Sequence, residues 1–229
     1  MVDLLGQSTY WDDRLTGTAD LSEWSIYWDS RPNGRRNGFF IECGAFDGEE
    51  KSNSLMLEKS LNWTGLLIEP DPDNFAQMVS RNRKAFLVNG GLHGGQHPKA
   101  LVLHKLAYAS VLDGYVDEKR KSFDSYIANN TIKATKVWCF PLLSLLLAVG
   151  QTRVDYFSLD VEGAEYDILS TLPLDKIQLN LLQMEYVKFE EGEKEQKAVL
   201  LRKLMRERYK QFLEVAKTPM DVFYLNSNF

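Results

Sequence analysis

Cysteine and histidine are scarce: the 229-residue chain has 2 cysteines and 3 histidines. Cys43 and Cys139 share no metal-ligand spacing and make no disulfide framework. Each sits in an apolar run, the usual setting of a buried thiol. No G-x-S-x-G turn occurs and neither cysteine has a histidine nearby in sequence, so no nucleophilic triad assembles. His93 and His97 stand four apart, but Gly94 and Gly95 lie between them. That argues for a glycine loop over a helical metal pair, and no metal is expected. Long apolar runs are also lacking. A membrane span needs about 18 residues, and the longest run, Leu142 to Val149, suits a buried helix. Positive charge is in deficit: a net charge of −5 and a pI near 5.3 argue against a nucleic-acid partner, which requires a basic face. The opening Met1-Val2-Asp3-Leu4-Leu5 has neither the basic nor the apolar region of a signal peptide. A cytoplasmic location is the expectation, with a lumenal domain of a membrane-tethered or secretory-pathway protein as the alternative.

What is present is enough for one good core, at 44% hydrophobic residues. Residues 1–37 are rich in aromatics (Trp11, Trp24, Tyr27, Trp28) and read as an arm, with 38–229 as the domain proper. From Phe39 onward strands and helices alternate. The pattern predicts strands at 39–43, 64–69, 85–88, 136–139, 154–160 and 177–185, and helices at 52–60, 72–82, 141–149, 164–171 and 191–208. Two extended segments are expected near 100–105 and 108–112, a polar loop or lid over 113–136, and a closing hairpin from 212–215 and 222–225 around Pro219. Such alternation implies an α/β fold: a mostly parallel sheet with helices on both faces and one antiparallel strand near the C-terminus.

The chemistry begins at Phe39-Phe40-Ile41-Glu42-Cys43-Gly44-Ala45-Phe46-Asp47-Gly48, an apolar strand running into an acidic residue and a glycine turn. The next strand, Thr64 to Ile68, ends on Glu69-Pro70-Asp71, with Glu69 21 positions after Gly48. A glycine turn after one strand and a carboxylate about 20 residues later is how an α/β sheet holds an adenosine. A dinucleotide turn carries a third glycine to admit a pyrophosphate. Here Asp47, Glu49 and Glu50 surround the turn with negative charge instead. That environment repels a phosphate and suits the cationic S-adenosyl-L-methionine, with Glu42 placed to hold its ammonium directly or through backbone and water.

A second constellation follows strand 154–160: Asp160-Val161-Glu162-Gly163-Ala164-Glu165-Tyr166-Asp167. In a parallel sheet Asp160 and Glu162 emerge at the same carboxyl edge as Glu42 and Glu69. Either could serve as base for a hydroxyl acceptor, while Glu165 and Asp167 favour the start of the following helix electrostatically.

FFIECGAFDGE, LEKSLNWTGLLIEPDP, CFPLLSLLLAVG and above all VDYFSLDVEGAEYDIL together resemble the FkbM-type methyltransferase family, and within it the Star-like branch of animal proteins. The resemblance implies a Rossmann-like, seven-stranded class I methyltransferase sheet that uses S-adenosyl-L-methionine, mostly for O-methylation of a small-molecule or glycan-like acceptor. It implies that Glu42, Gly44, Asp47 and Gly48 form the first cofactor motif and that Glu69 holds the ribose. Pro70 and Asp71 would shape the adenine pocket, Asn89 would contact the base, and Asp160 and Glu162 would line the reaction centre. A non-catalytic methyltransferase-like binding or trafficking module is the alternative.

Overall fold

Five consecutive buried residues, Phe39–Cys43, form the first strand. A strand covered on both faces has no solvent side, which is why Phe39, Phe40, Ile41 and Cys43 show no polar alternation and Glu42 is the one polar residue among them. The computed structural model describes residues 36–105, 110–115, 133–185, 193–218 and 220–228. The expected arm at 1–37 falls almost wholly outside the described residues, as do 116–132 of the expected lid and Pro219 of the hairpin.

In chain order the elements are β1 (Phe39–Cys43), α1 (Leu55–Leu61), β2 (Thr64–Glu69), α2 (Pro72–Ser80), β3 (Phe86–Asn89) and β4 (Gly91–Leu92). Then come β5 (Lys99–Lys105), β6 (Ser110–Leu112), β7 (Lys133–Phe140), α3 (Leu142–Ala148) and β8 (Arg153–Leu159). The last are α4 (Glu165–Thr171), β9 (Gln178–Glu185), α5 (Glu193–Arg208), β10 (Phe212–Lys217) and β11 (Asp221–Asn226).

The main sheet has seven strands in the order β10-β11-β9-β8-β1-β2-β3. β1 pairs in parallel with β2 on one side and β8 on the other. β11 runs antiparallel to β9 and to β10, so it is the one reversed strand. One face packs against α3, α4 and α5 through Leu142, Leu146, Ile168, Leu169, Leu201 and Met205. The other meets α1 and α2 through Leu57, Leu61 and Met78, around the fully buried Phe40 and Trp63. Strand order reverses between β1 and β8, the place where a sheet of this kind takes a ligand, at the carboxyl ends of its strands.

Local chemistry sets the boundaries. Asp71 caps α2 by accepting the N–H of Asp73 at 2.9 Å, and Pro72 occupies the first helical turn, where a missing N–H costs nothing. α1 begins at Leu55 rather than near Ser52, because the Ser52 and Ser54 hydroxyls are engaged by Glu42 instead of extending the helix. A second sheet, β4-β7-β5-β6, gathers segments that the sequence shows only as isolated extended pieces. Within it, Gly91 pairs with Cys139 inside the stretch expected to be a plain glycine loop, and residues 133–136 of the expected lid belong to β7.

The Trp63 ring occupies the space that a side chain at Gly38 would fill, within 2.5–2.7 Å of a Cβ built there. Trp63→Ala should destabilise the fold by about 3–5 kcal/mol, the usual cost of emptying a buried aromatic site. Urea unfolding followed by far-UV circular dichroism measures this; a loss below about 1 kcal/mol would contradict the packing described.

Candidate active site

Gly44 leaves β1 with φ +74°, and a Cβ there would stand 2.5 Å from the backbone carbonyl oxygen of Asp160. The exposed turn therefore presses on the end of β8, and only glycine fits both the conformation and the approach. The turn continues through Phe46, also at positive φ (51°), and Gly48 at φ +80° against the Met78 side chain. Asp47 is buried within it, accepting the N–H groups of Glu49 (2.9 Å) and Glu50 (2.7 Å) and pairing with Arg81. Burial opposes its charge, but these bonds prevail and hold its carboxyl below the usual range.

Glu42, at the end of β1, turns to the segment after this loop. Its Oε1 accepts the Asn53 N–H at 2.7 Å; its Oε2 accepts the Ser52 hydroxyl at 2.9 Å and the Ser54 hydroxyl. Burial raises its pKa, while the serine and Asn53 bonds and the charge of Arg83 pull the other way. Glu69 joins two loops: Oε2 accepts the Phe46 N–H at 2.9 Å and Oε1 the Asp71 N–H at 2.8 Å. Burial pushes its pKa to about 7. Pro70 is half-buried beside it. Asp71 uses its second oxygen on Lys105 at 2.8 Å, tying the small sheet to this edge. Asn89 is exposed at the end of β3, in register with Glu69.

At the ends of β8 and β9, carboxylate oxygens of Asp160, Glu162 and Glu185 all lie within 4.8 Å of one another, close enough to share a cation. Burial, then the charges of Glu162, Glu165 and Asp221, push Asp160 to about 7, although a hydrogen bond from Glu185 opposes the shift. The same forces, with Asp160 now among the neighbours, push Glu185 to about 9. Glu162 adopts φ 55°, and Glu165 closes the turn by accepting the N–H groups of Gly163 (3.2 Å) and Val161 (3.3 Å). Glu165 thus shapes the site as well as opening α4. Tyr115 reaches Asp167 at 2.7 Å, fastening the end of the β6 segment to α4.

The edge therefore brings together Gly44 with Asp160, Glu69 with the Phe46 and Asp71 backbone, and Asp160 with Glu162. Glu185 and Asp221 were not anticipated. The signal for Glu185 was the strand-end rule that marked Asp160, because β9 lies beside β8; Asp221 opens the antiparallel β11, and its pairing with Glu185 brings it to the same edge. His93 accepts the Gly95 N–H at Nδ1 and bonds the His97 carbonyl through Nε2, closing the glycine loop on itself. Two cavities open elsewhere, one of about 380 Å³ at the amino ends of β8 and β9 and one of about 350 Å³ between α3 and α4. Among the described residues no helix is long and apolar enough to cross a membrane.

The FkbM methyltransferase domain, as a family, matches residues 42–212, from the first site carboxylate to the start of β10. The chain belongs to the FkbM methyltransferase family. Among solved structures, the chain is similar to an FkbM methyltransferase from Methylobacillus flagellatus KT at 12% identity, covering 82% of this chain with a TM-score of 0.47. The match spans 43% of that protein's length. It is also similar to a protein from Clostridium thermocellum described as a putative rRNA-methylase (11% identity, 92% of this chain and 97% of that one, TM-score 0.45). A third similarity is to the N-terminal domain of human METTL16 (13% identity, 93% and 71%, TM-score 0.46). No curated protein sequence gives a match.

Glu69, Asp160 and Glu185 titrate above their ordinary values of 4.5, 3.8 and 4.5, at about 7, 7 and 9. A carboxyl whose pKa is raised by folding stabilises the fold below its unfolded pKa, and that stability is lost as pH rises through the folded value. The free protein should therefore melt at a higher temperature at pH 6 than at pH 9. Glu185→Gln should flatten that slope. Scanning calorimetry across pH checks both; an unchanged slope in the variant would contradict the assignment.

Proposed function

We propose that this chain is an S-adenosyl-L-methionine-dependent methyltransferase that methylates a hydroxyl of a small-molecule or glycan-like acceptor. The observation that carries the reading is the contact of the Gly44 turn with the Asp160 carbonyl at the strand-order reversal. It sets a ligand-admitting loop beside a group of carboxylates. The residues fit the cofactor. Gly44 lets the turn come against the Asp160 carbonyl where a side chain would not fit, the acidic turn disfavours a phosphate, and the carboxylates attract a cation.

In this reading the first motif, Glu42, Gly44, Asp47 and Gly48, presents its backbone to the amino-acid end of the cofactor. Glu42 and Asp47 act through the loop they hold in shape. Glu69 accepts hydrogen bonds from both ribose hydroxyls, Pro70 and Asp71 bound the adenine side, and Asn89 lies at the rim nearest the base. When bound, S-adenosyl-L-methionine supplies an electrophilic methyl group on sulfur. The protein's part is to hold the acceptor oxygen in line with it, which alone accounts for much of such catalysis. Asp160 takes the acceptor's hydroxyl proton on a carboxylate oxygen. Glu162 lines the reaction centre and keeps that carboxylate a competent base through its charge. The negative edge favours a neutral hydroxyl over a carboxylate or a nucleic-acid phosphate.

Calorimetric titration with S-adenosylhomocysteine tests the cofactor assignment. Wild-type protein should bind, and Glu69→Ala should bind about 10–100-fold more weakly, the worth of hydrogen bonds to a charged partner. Equal affinity in the two proteins would remove Glu69 from the site, and no binding by wild type at millimolar concentration would overturn the reading.

A further inference from the structure

Arg83 belongs to no cofactor motif. It stands in the connection between α2 and β3, yet its side chain is 2% exposed. A buried guanidinium is tolerated only where its donors are met. Nε bonds Glu58 Oε2 at 3.1 Å, and one terminal nitrogen bonds the Gly48 carbonyl and the Ser52 hydroxyl (3.2 Å). The other bonds the Ser54 hydroxyl at 3.1 Å, and the guanidinium carbon lies 5.9 Å from the Phe40 ring centre. Every acceptor but Glu58 lies in the segment from Gly48 to Ser54, 29–35 residues earlier in the chain.

The bonds have a direction. Arg83 can only donate, so each serine oxygen accepts from it and each serine proton is left for Glu42. Both hydroxyls do donate to Glu42 Oε2. A guanidinium and a carboxylate thus stand at the two ends of one hydroxyl bridge, and the charge of Arg83 favours the ionised form of Glu42 across it. The Gly48 carbonyl is thus held by a buried guanidinium. Arg81, from the same connection, grips the opposite side of the turn at Asp47 and Glu49.

We propose that Arg83 is a positioning residue for the cofactor: it sets the shape of the 44–54 segment from the protein side, through the Gly48 carbonyl and the Ser52 and Ser54 hydroxyls. It never touches the ligand, because it is buried behind the loop. The inference rests on the cofactor reading above. Lysine in its place keeps the charge but offers one nitrogen, which cannot serve this set of acceptors as the fork does.

The test is calorimetric titration with S-adenosylhomocysteine of wild type, Arg83→Lys and Leu201→Ala. Leu201 is a buried α5 residue on the opposite face of the sheet, chosen to lower stability without touching the loop. All titrations run below each protein's melting temperature, so that stoichiometry reports the folded fraction and Kd reports the loop. Arg83→Lys should keep full stoichiometry with Kd raised about tenfold or more, while Leu201→Ala keeps the wild-type Kd. The double substitution Ser52→Ala and Ser54→Ala removes the bridge but leaves the Arg83–Glu58 pair. It should raise Kd in the same direction and decides the matter if Arg83→Lys does not fold. Wild-type Kd in the Arg83 and serine variants, or equal weakening in Leu201→Ala, would overturn the positioning role alone. Absence of binding by wild type would overturn the cofactor reading and this inference with it.

Discussion

Like charge gathered at one sheet edge is the constraint that organises this molecule. β1, β2, β8 and β9 each deliver a carboxylate to their carboxyl ends or just past them: Glu42, Glu69, Asp160 and Glu185. Such groups repel one another, and burial strengthens the repulsion. The fold settles part of it internally. Arg83 answers Glu42 across two serine hydroxyls, Arg81 answers Asp47, and Lys105 answers Asp71. The remainder is settled by protons: the charges that act most on Asp160 and Glu185 are other carboxylates, and both titrate far above their ordinary range. A site whose carboxyls hold their protons more tightly than usual when empty is well matched to a ligand that brings positive charge.

Under the proposed function, the same division separates shaping residues from reacting ones. Carboxylates that the protein neutralises itself are those whose bonds hold the cofactor loop and the cap of α2. Those left to one another surround the place where β1 and β8 abut. Glu69 lies between the two classes, since it accepts backbone N–H groups from both loops yet titrates near 7. That combination suits a group that orders the empty site and then exchanges partners when ribose hydroxyls arrive.

Much of this was legible in the chain, for identifiable reasons. β1, β2, β8 and β9 read clearly because buried strands of a parallel sheet are rich in apolar residues and are bounded by turn signals. The placement of Asp160 at the carboxyl edge followed from the strand-end rule, and that of Glu69 from the same rule with its offset after the glycine turn. The small sheet did not, because its strands are short and its pairings, such as Gly91 with Cys139, join residues far apart in sequence. Glu185 went unmarked although the expected strand 177–185 ends on it, because no glycine turn or second acid follows it at once as they do at Asp160. Arg83 left no local mark, since the acceptors that give it meaning lie on a loop that only the α2–β3 crossover brings near. The premature start assigned to α1, expected as a helix over 52–60, has the same origin: Ser52 and Ser54 are held by a carboxylate ten or more residues away.

The central claim is that a cationic cofactor replaces protons at the acidic edge. It is tested most directly by counting protons released on binding, from titrations at pH 7.5 in buffers of different ionisation enthalpy. S-adenosylmethionine and S-adenosylhomocysteine differ by the sulfonium charge, so their comparison isolates it. The account predicts that S-adenosylmethionine releases more protons than S-adenosylhomocysteine and binds more tightly as pH rises from 6 to 8. Equal proton release by the two ligands, with affinity independent of pH, would contradict it.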